Sequence, residues 1–181
     1  MSDVDVSVDY KLEDDTIKKM LKEVLDEVCV KIGILGENGS KKADSEDPDN
    51  ELTTATLGAI QEFGTFSKSS DDGEEKTIIP ARSFLRMPIE KKLTEELLKS
   101  KGFRSAVQEL DVAKINDEIG MAALAVIDDA FDSGGFGEWA PLADATVKKK
   151  TKNGKKGDAI LIDTGNLRRS ITYEVIKNGD N

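Results

Sequence analysis

The sequence predicts an α+β fold: a small, mostly antiparallel sheet of three to four strands with helices packed on one face. Two patterns support this prediction. Short segments alternate apolar and polar residues, as half-buried strands do, and longer segments repeat apolar residues every three or four positions, as helices do. Because 181 residues is an ordinary length for one domain, we expect residues 1–181 to form a single domain.

Two strands and a helix are predicted near the start of the chain. Residues 3–10 alternate valines and a tyrosine with polar side chains, which predicts a strand. In residues 17–28 the apolar side chains recur at helical spacing after an acidic start, which predicts an amphipathic helix. We interpret Cys29, at the end of that helix, as a small buried side chain. Residues 30–34 alternate again and predict the second strand.

Two polar segments are predicted to form long flexible loops. The first spans about residues 37–52, a charged stretch broken by Pro48, and the second spans about residues 65–77. A short helix is predicted between them at residues 54–62, with Gly64 as its C-terminal cap.

The second half of the chain is predicted to be mainly helical. Apolar residues recur every fourth position in residues 84–98, and Gly102 is expected to end that helix. The longest helix is predicted at residues 112–131, where the apolar stripe covers more than half of the circumference. The remaining predicted elements are a strand at residues 159–162, a one-turn helix at residues 165–168 and a last strand at residues 170–176.

The composition excludes several classes of site. The chain has no histidine and one cysteine, which excludes histidine-based catalysis, histidine-ligated metals and an internal disulfide. Its 36 acidic residues outnumber the 26 basic ones, and a pI near 4.7 argues against binding nucleic acid through phosphate neutralisation. No apolar run approaches the roughly 20 residues of a membrane span. We therefore expect a protein made in the cytoplasm, with no enzymatic activity, cofactor, metal site or membrane contact.

Two short motifs are similar to catalytic or phosphate-binding signatures, but each has a simpler interpretation. Residues 160–165 contain the Asp-Thr-Gly of aspartic proteases, yet such a site needs two loops, and residues 166–181 are too few to complete that fold. We interpret Asp163 or Thr164 as the cap of the one-turn helix. Residues 33–41 are glycine-rich, but lysine and serine stand in the wrong order for a phosphate loop, so we interpret them as a turn.

A lysine run at residues 148–156 leaves two interpretations open. It is either a solvated loop or a contact surface for DNA or for an acidic neighbouring subunit. Because no aromatic residue interrupts the run, DNA binding is the less favoured function. Pairing with the acidic surface of a second copy stays open.

Four segments, in this order along the chain, resemble a known protein family. They read AIQEFGT at residues 59–65, IPARSFLR at residues 79–86, FGEWAPL at residues 136–142 and LIDTGNLRRSI at residues 161–171. This order is similar to that of the virion morphogenesis and tail-completion proteins of tailed bacteriophages, the group that includes the Mu G-like head–tail joining (neck) proteins. Gln61 and Ser83 stand where asparagine and proline are common in that family.

The resemblance implies a structural virion protein and not an enzyme. Such a protein forms a homo-oligomeric ring at the head–tail junction, expected to be a hexamer. It joins the portal, adaptor or stopper proteins of the head to the tail terminator or the tail tube. The genomic DNA passes through the ring without specific binding, during packaging and during ejection.

Two groups of residues are expected to carry this function. Contacts between subunits or rings are expected at the 65–77 loop and at Phe63, Arg82, Phe84, Arg86, Lys148 and Lys149. Acidic side chains of the first loop are expected to face the channel and repel DNA: Asp44, Glu46, Asp47, Asp49 and Glu51. Two other functions stay open, a tail terminator that caps the tail tube and, in a different class, an acidic cytoplasmic regulator or nucleic-acid mimic.

Overall fold

The computed structural model describes residues 28–43, 51–68, 75–152, 154, 159–162 and 165–177. Within these residues the fold is α+β, with seven helices and two antiparallel sheets of two strands each. The predicted strand 3–10 and, apart from Val28, the predicted helix 17–28 lie outside them. In chain order the elements are β1 (Val28–Gly33), α1 (Glu37–Ser40), α2 (Thr54–Phe63), β2 (Thr65–Lys68), β3 (Glu75–Ile79), α3 (Arg86–Lys99), α4 (Lys101–Glu109), α5 (Val112–Ser133), α6 (Asp144–Lys152), α7 (Asn166–Ser170) and β4 (Thr172–Lys177).

The sheet formed by β1 and β4 joins the two ends of the described chain. Val30 lies opposite Val175 and Ile32 lies opposite Tyr173. Paired residues point to the same side of a sheet, so these four side chains share the face on which α5 packs. The strands predicted at residues 30–34 and 170–176 are confirmed.

The start of β1 corrects one prediction. Val28 and Cys29 belong to this strand and not to the end of a helix, because their backbones pair with Lys177 and Ile176 of β4. Cys29 is only partly buried. The apolar residues keep a helical spacing up to Val28, which is why a helix is predicted there. Pairing with β4 nevertheless sets the conformation of Val28 and Cys29.

A close contact fixes α5 against this sheet. Gly120, in the middle of α5, is buried beneath the ring of Tyr173 on β4, and a Cβ at that position would lie 2.2 Å from the ring. The absence of a side chain lets the helix and the strand approach each other. α5 confirms the helix predicted at residues 112–131.

The hydrophobic core lies between α3, α5 and the loop that follows α5. Phe84, Phe131 and Trp139 form an aromatic chain, with ring centroids 5.7 Å apart for Phe84–Phe131 and 5.6 Å apart for Phe131–Trp139. Ile127, Ala130 and Leu167 complete this buried cluster. Burial of side chains of this size stabilises the fold by roughly 2–3 kcal/mol each.

The first predicted loop, and the turn predicted at residues 33–41, contain the short helix α1, and backbone pairing follows it. After α1, the N–H of Ala43 donates to the carbonyl of Leu52 and the N–H of Thr54 donates to the carbonyl of Lys41, both at 2.8 Å. α2 confirms the helix predicted at residues 54–62. As predicted, Gly64 caps it, its N–H donating to the carbonyl of Ile60 at 2.9 Å.

The second predicted loop contains a two-stranded ribbon instead. β2 and β3 pair antiparallel, with Phe66 opposite Thr77 and Ser67 opposite Lys76. The two ends of the 65–77 segment have the β-branched and aromatic residues that favour strands, and the acidic centre of the segment conceals this pattern. Residues 69–74, which join the strands, lie outside the described part of the chain.

The boundary between α3 and α4 lies at Ser100 and not at Gly102, where it is predicted. Ser100 is extended, with ψ of 122°, and its hydroxyl accepts the N–H of Phe103 at 3.1 Å as the N-cap of α4. Gly102 lies inside α4, where the side chain of Glu118 passes so close that a Cβ would be 2.0 Å from its Oε1. Glycine at position 102 leaves room for the side chain of Glu118.

Residues 159–162 form a turn and not the predicted strand. Leu161 has a φ of 58°, in the left-handed region. The buried Lys150 of α6 donates from its Nζ to the carbonyl oxygens of Ala159 and Ile162, both at 2.6 Å. Carbonyl groups that a strand would offer to a neighbouring strand are bound by this lysine.

Candidate functional site

Three of the four motif segments meet at one place, which we call the motif junction. It consists of Glu62 at the end of α2, residues 82–86 at the start of α3 and residues 139–141 after α5. Most of the bonds that join these segments run between a side chain of one and the backbone of another. Their meeting depends on the tertiary fold, because the segments are distant in the sequence.

Glu62 holds the chain where it enters α3. Its buried carboxylate accepts the backbone N–H groups of Phe84, Leu85 and Arg86 at 2.7, 3.0 and 3.2 Å, and the hydroxyl of Ser83 at 2.6 Å. The first N–H groups of a helix have no partner within it. Leu85, the N-cap of α3, has no capping side chain, so Glu62 supplies the cap and places a negative charge at the helix N-terminus.

Arg82 fixes the loop after α5 to the start of α3. Its Nε donates to the carbonyl of Ala140 at 2.9 Å and its Nη2 donates to the carbonyl of Pro141 at 3.1 Å. Burial lowers the pKa of the Arg82 guanidinium below its usual value. The group is still charged at neutral pH, because arginine deprotonates only far above that range.

Trp139 connects the motif junction to the hydrophobic core. Its indole N–H donates to the carbonyl of Ser83 at 3.1 Å, and its ring meets Phe131 edge to face. Gly135 allows this position, since a Cβ there would lie 2.3 Å from the Trp139 ring. The junction and the core are therefore one connected unit.

The fourth motif segment is tied to the core and to α5. Leu167 is buried in the aromatic cluster. Arg168 donates to Asp128 at 2.6 Å and to the two carboxylate oxygens of Asp132 at 2.6 and 3.1 Å. These bonds from Arg168 lower the pKa of Asp132 below its usual 3.8, and the same carboxylates raise the pKa of Arg168. The predicted one-turn helix is observed as α7, but its N-cap is Gly165, without a capping side chain, and not Asp163 or Thr164, which lie outside the described residues.

The structure places the predicted contact residues in different environments. Phe84 has no exposed surface and Arg82 is 6% exposed, so both stabilise the fold and neither presents a face to a neighbouring subunit. For these two residues the expected interface role is replaced by a structural one. The side chain of Lys149 lies outside the described part. Three predicted contact residues are exposed: Phe63, Arg86 and Lys148.

Four of the five predicted channel residues lie outside the described part of the chain: Asp44, Glu46, Asp47 and Asp49. The fifth, Glu51, is exposed and lies just before the backbone pairing that precedes α2. The predicted channel role therefore stays a prediction.

Exposed apolar side chains follow the motif residue Glu62, where the sequence predicts contacts at Phe63 and in the 65–77 loop. Phe63, at the end of α2, is 62% exposed, and Phe66 on β2 and Ile78 on β3 are 57% and 62% exposed. Gly64 makes the turn between α2 and β2, with φ of 73° and ψ of −179°, and packs against the backbone of Ile79. Sequence reasoning missed the ribbon that carries Phe66 and Ile78. The strand-like ends of the 65–77 segment are the signal that would have revealed it.

Comparison of the chain with family models, curated proteins and solved structures gives no match. Within the described residues, no group of three or more histidine, cysteine, aspartate or glutamate residues is arranged to hold a metal ion. In that same part of the chain, none of the helices is both long and apolar enough to cross a bilayer. The side chains of Glu62, Arg82 and Trp139 bond to backbone groups of the neighbouring segments, so the junction braces the fold.

Proposed function

We propose that this protein is a structural virion subunit of a tailed bacteriophage that forms a homo-oligomeric ring at the head–tail junction, expected to be a hexamer. The observation that carries the proposal is the motif junction. The resemblance to tail-completion proteins depends on four segments of the chain. Here Glu62, Arg82 and Trp139 bond three of those segments together into one structural unit, and this joint placement supports the proposal.

The bonding of the junction favours a mechanical role over a catalytic one. The carboxylate of Glu62 and the guanidinium of Arg82 are both engaged with the backbone of their own chain. A unit braced in this way holds its exposed surfaces in fixed positions, which a ring subunit needs in order to meet its neighbours with defined geometry.

In the proposed assembly the ring joins the portal, adaptor or stopper proteins of the head to the tail terminator or tail tube. DNA passes through the ring without specific binding. The acidic residues of the first loop, Asp44, Glu46, Asp47, Asp49 and Glu51, would line this path and repel the phosphate backbone. Replacing these five residues by their amides should slow genome ejection, measured as DNA release after receptor addition. Ejection at the wild-type rate would contradict the proposed role of these residues in the channel.

Deletion of the gene for this chain from the phage genome that encodes it tests the proposal. We expect DNA-filled heads and complete, separate tails in electron micrographs of the lysate, with joining restored when the wild-type chain is supplied in trans. Infectious, joined particles in its absence would contradict the proposal.

The same experiment separates the other functions. A tail terminator predicts tails of uncontrolled length, because nothing stops growth of the tube. An acidic regulator or nucleic-acid mimic predicts normal particle parts and a monomeric or dimeric protein that is absent from purified virions.

A further inference from the structure

The ribbon of β2 and β3 joins the rest of the fold at one place, which we call the root. The root consists of residues 61–65, where the chain enters the ribbon, and residues 79–82, where it leaves. At the ribbon end of the root, the first residue of β2 is paired with the last residue of β3. At the other end, the N–H of Arg82 donates to the carbonyl of Gln61 at 2.7 Å. The entering and leaving chains are therefore bonded to each other at both ends of the root.

Gly64 brings the two chains of the root into direct contact. Its φ of 73° lies in the left-handed region, and its N–H donates to the carbonyl of Ile60 in α2 at 2.9 Å. A Cβ at this position would lie 2.7 Å from the carbonyl oxygen of Ile79 and 2.8 Å from the backbone nitrogen of Ala81. Gly64 is therefore bonded to α2 on one side and packed against the leaving chain on the other.

A bulge next to the root adds a defined bend to the ribbon. Thr65 lies opposite Ile79, but Phe66 lies opposite Thr77, so Ile78 is an extra residue between the two pairs. A bulge of this kind bends the strand that carries it and increases the local twist. The bend belongs to the backbone pairing of the chain itself and needs no contact with a partner.

The motif junction holds both chains of the root. Glu62, in the entering chain, accepts the backbone N–H groups at the start of α3. Arg82, in the leaving chain, donates to two carbonyl groups of the loop after α5. The two chains of the root are thus bonded to different parts of the fold. A rotation of the ribbon about its root would strain these bonds.

We propose that the root holds the ribbon at one angle to α2, so that the ribbon is an arm whose direction is set before any partner binds. Such an arm differs from the flexible loop that the sequence predicts at residues 65–77, which would become ordered only on contact. An arm with a preset direction loses little conformational entropy when it associates with another surface. The inference concerns the free subunit and does not depend on the proposed function.

Distances between two spin labels on the full chain test the proposal. One label is placed on the ribbon through Ser67→Cys and the other on α3 through Glu90→Cys, both at exposed positions, in a chain that also carries Cys29→Ser. The labelled chain is diluted with unlabelled chain, so that each distance belongs to one copy. Labels at Glu90→Cys and Asp117→Cys, on α3 and α5, are the matched control pair. We expect one distance distribution for the ribbon pair, as narrow as that of the control pair. A broad distribution or two separate distances for the ribbon pair would overturn the proposal.

A substitution at Gly64 tests whether the root sets the angle. Gly64→Ala places a methyl group between the two chains of the root, so it should broaden the distances of the ribbon pair and leave those of the control pair unchanged. Gly137→Ala, at a φ of 82° with nothing within 4 Å of the added Cβ, should leave both pairs unchanged. Unchanged ribbon distances in a folded Gly64→Ala variant would contradict the role of the root. If that variant does not fold, the width of the ribbon-pair distribution in the chain with Gly64 decides the proposal.

Discussion

The carboxylate of Glu62 receives the backbone N–H of Phe84 at 2.7 Å. Through this bond the last turn of α2 holds a residue whose ring is fully buried in the core. One acidic side chain thus caps α3 and positions the aromatic cluster against α5. Both partners lie in segments on which the resemblance to tail-completion proteins depends.

Replacing Glu62 by glutamine should destabilise the protein by about 2–4 kcal/mol, because the amide NH2 group faces backbone donors that the carboxylate now accepts. Urea denaturation followed by circular dichroism measures the free energy of unfolding. Glu90→Gln is the control, since Glu90 is exposed on α3, and its effect should stay within about 0.5 kcal/mol. Equal effects of the two substitutions would contradict the capping role of Glu62.

Replacing Arg82 by lysine should cost about 1–2 kcal/mol, although the charge is kept, because an ammonium group cannot reproduce the forked donation to Ala140 and Pro141. Arg86→Lys, at an exposed position of the same motif, should leave stability unchanged. Thermal unfolding of both variants checks this. If Arg82→Lys unfolds like the wild type, the guanidinium does not hold the loop after α5.

Gly64 and Gly137 form a matched pair for a test of backbone strain. Both have positive φ, 73° and 82°, but a Cβ on Gly64 would lie 2.7 Å from the carbonyl oxygen of Ile79, whereas a Cβ on Gly137 would meet nothing within 4 Å. Gly64→Ala should therefore destabilise by about 3 kcal/mol or more, and Gly137→Ala by about 1 kcal/mol. The denaturant midpoints of the two variants measure the two losses of stability. A larger loss for Gly137→Ala than for Gly64→Ala would refute the prediction.

Gly120→Ala should destabilise the protein by about 1–3 kcal/mol, even though alanine favours helices, because its methyl group would overlap the ring of Tyr173. Tyr173→Leu should reduce that cost, since a smaller side chain leaves room for the methyl group. A double-mutant cycle in urea measures the coupling. Additive effects of the two substitutions would mean that α5 and β4 are not held by this contact.

The ion pair between Arg168 and Asp132 should make stability depend on pH at the acidic end. The folded pKa of Asp132 is below its usual 3.8, so the stabilisation is present above that value and is lost as the pH falls through the folded pKa. The difference in unfolding free energy between the wild type and Asp132→Asn should therefore shrink as the pH falls below about 4. If the difference in unfolding free energy between the wild type and Asp132→Asn stays constant from pH 7 to below pH 4, this ion pair does not stabilise the fold.

The sequence predicts those elements whose pattern is local. The helix at residues 112–131 is recognised because its apolar stripe is long, and Gly64 is recognised as a cap because α2 ends there. The ribbon is missed because acidic residues separate two short strand-like ends. The boundary at Ser100 is missed because sequence reasoning takes the nearby Gly102 as the end of α3. In the structure the serine that caps α4 sets the boundary.

The motif junction is beyond sequence reasoning for a different reason. Glu62 bonds to a backbone group 22 residues away, and Arg82 bonds to one 58 residues away. Composition and spacing carry no information about such partners. For this reason the sequence predicts Arg82 and Phe84 as interface residues, whereas the structure uses both inside the fold.

Cryo-electron microscopy of purified virions from the phage that encodes this chain tests its central claim most directly. We expect density for the described fold, repeated as a ring, between the portal and the tail tube, with β2 and β3 directed towards the neighbouring subunit. Virions that join head to tail with no copy of this chain at the junction would contradict the account.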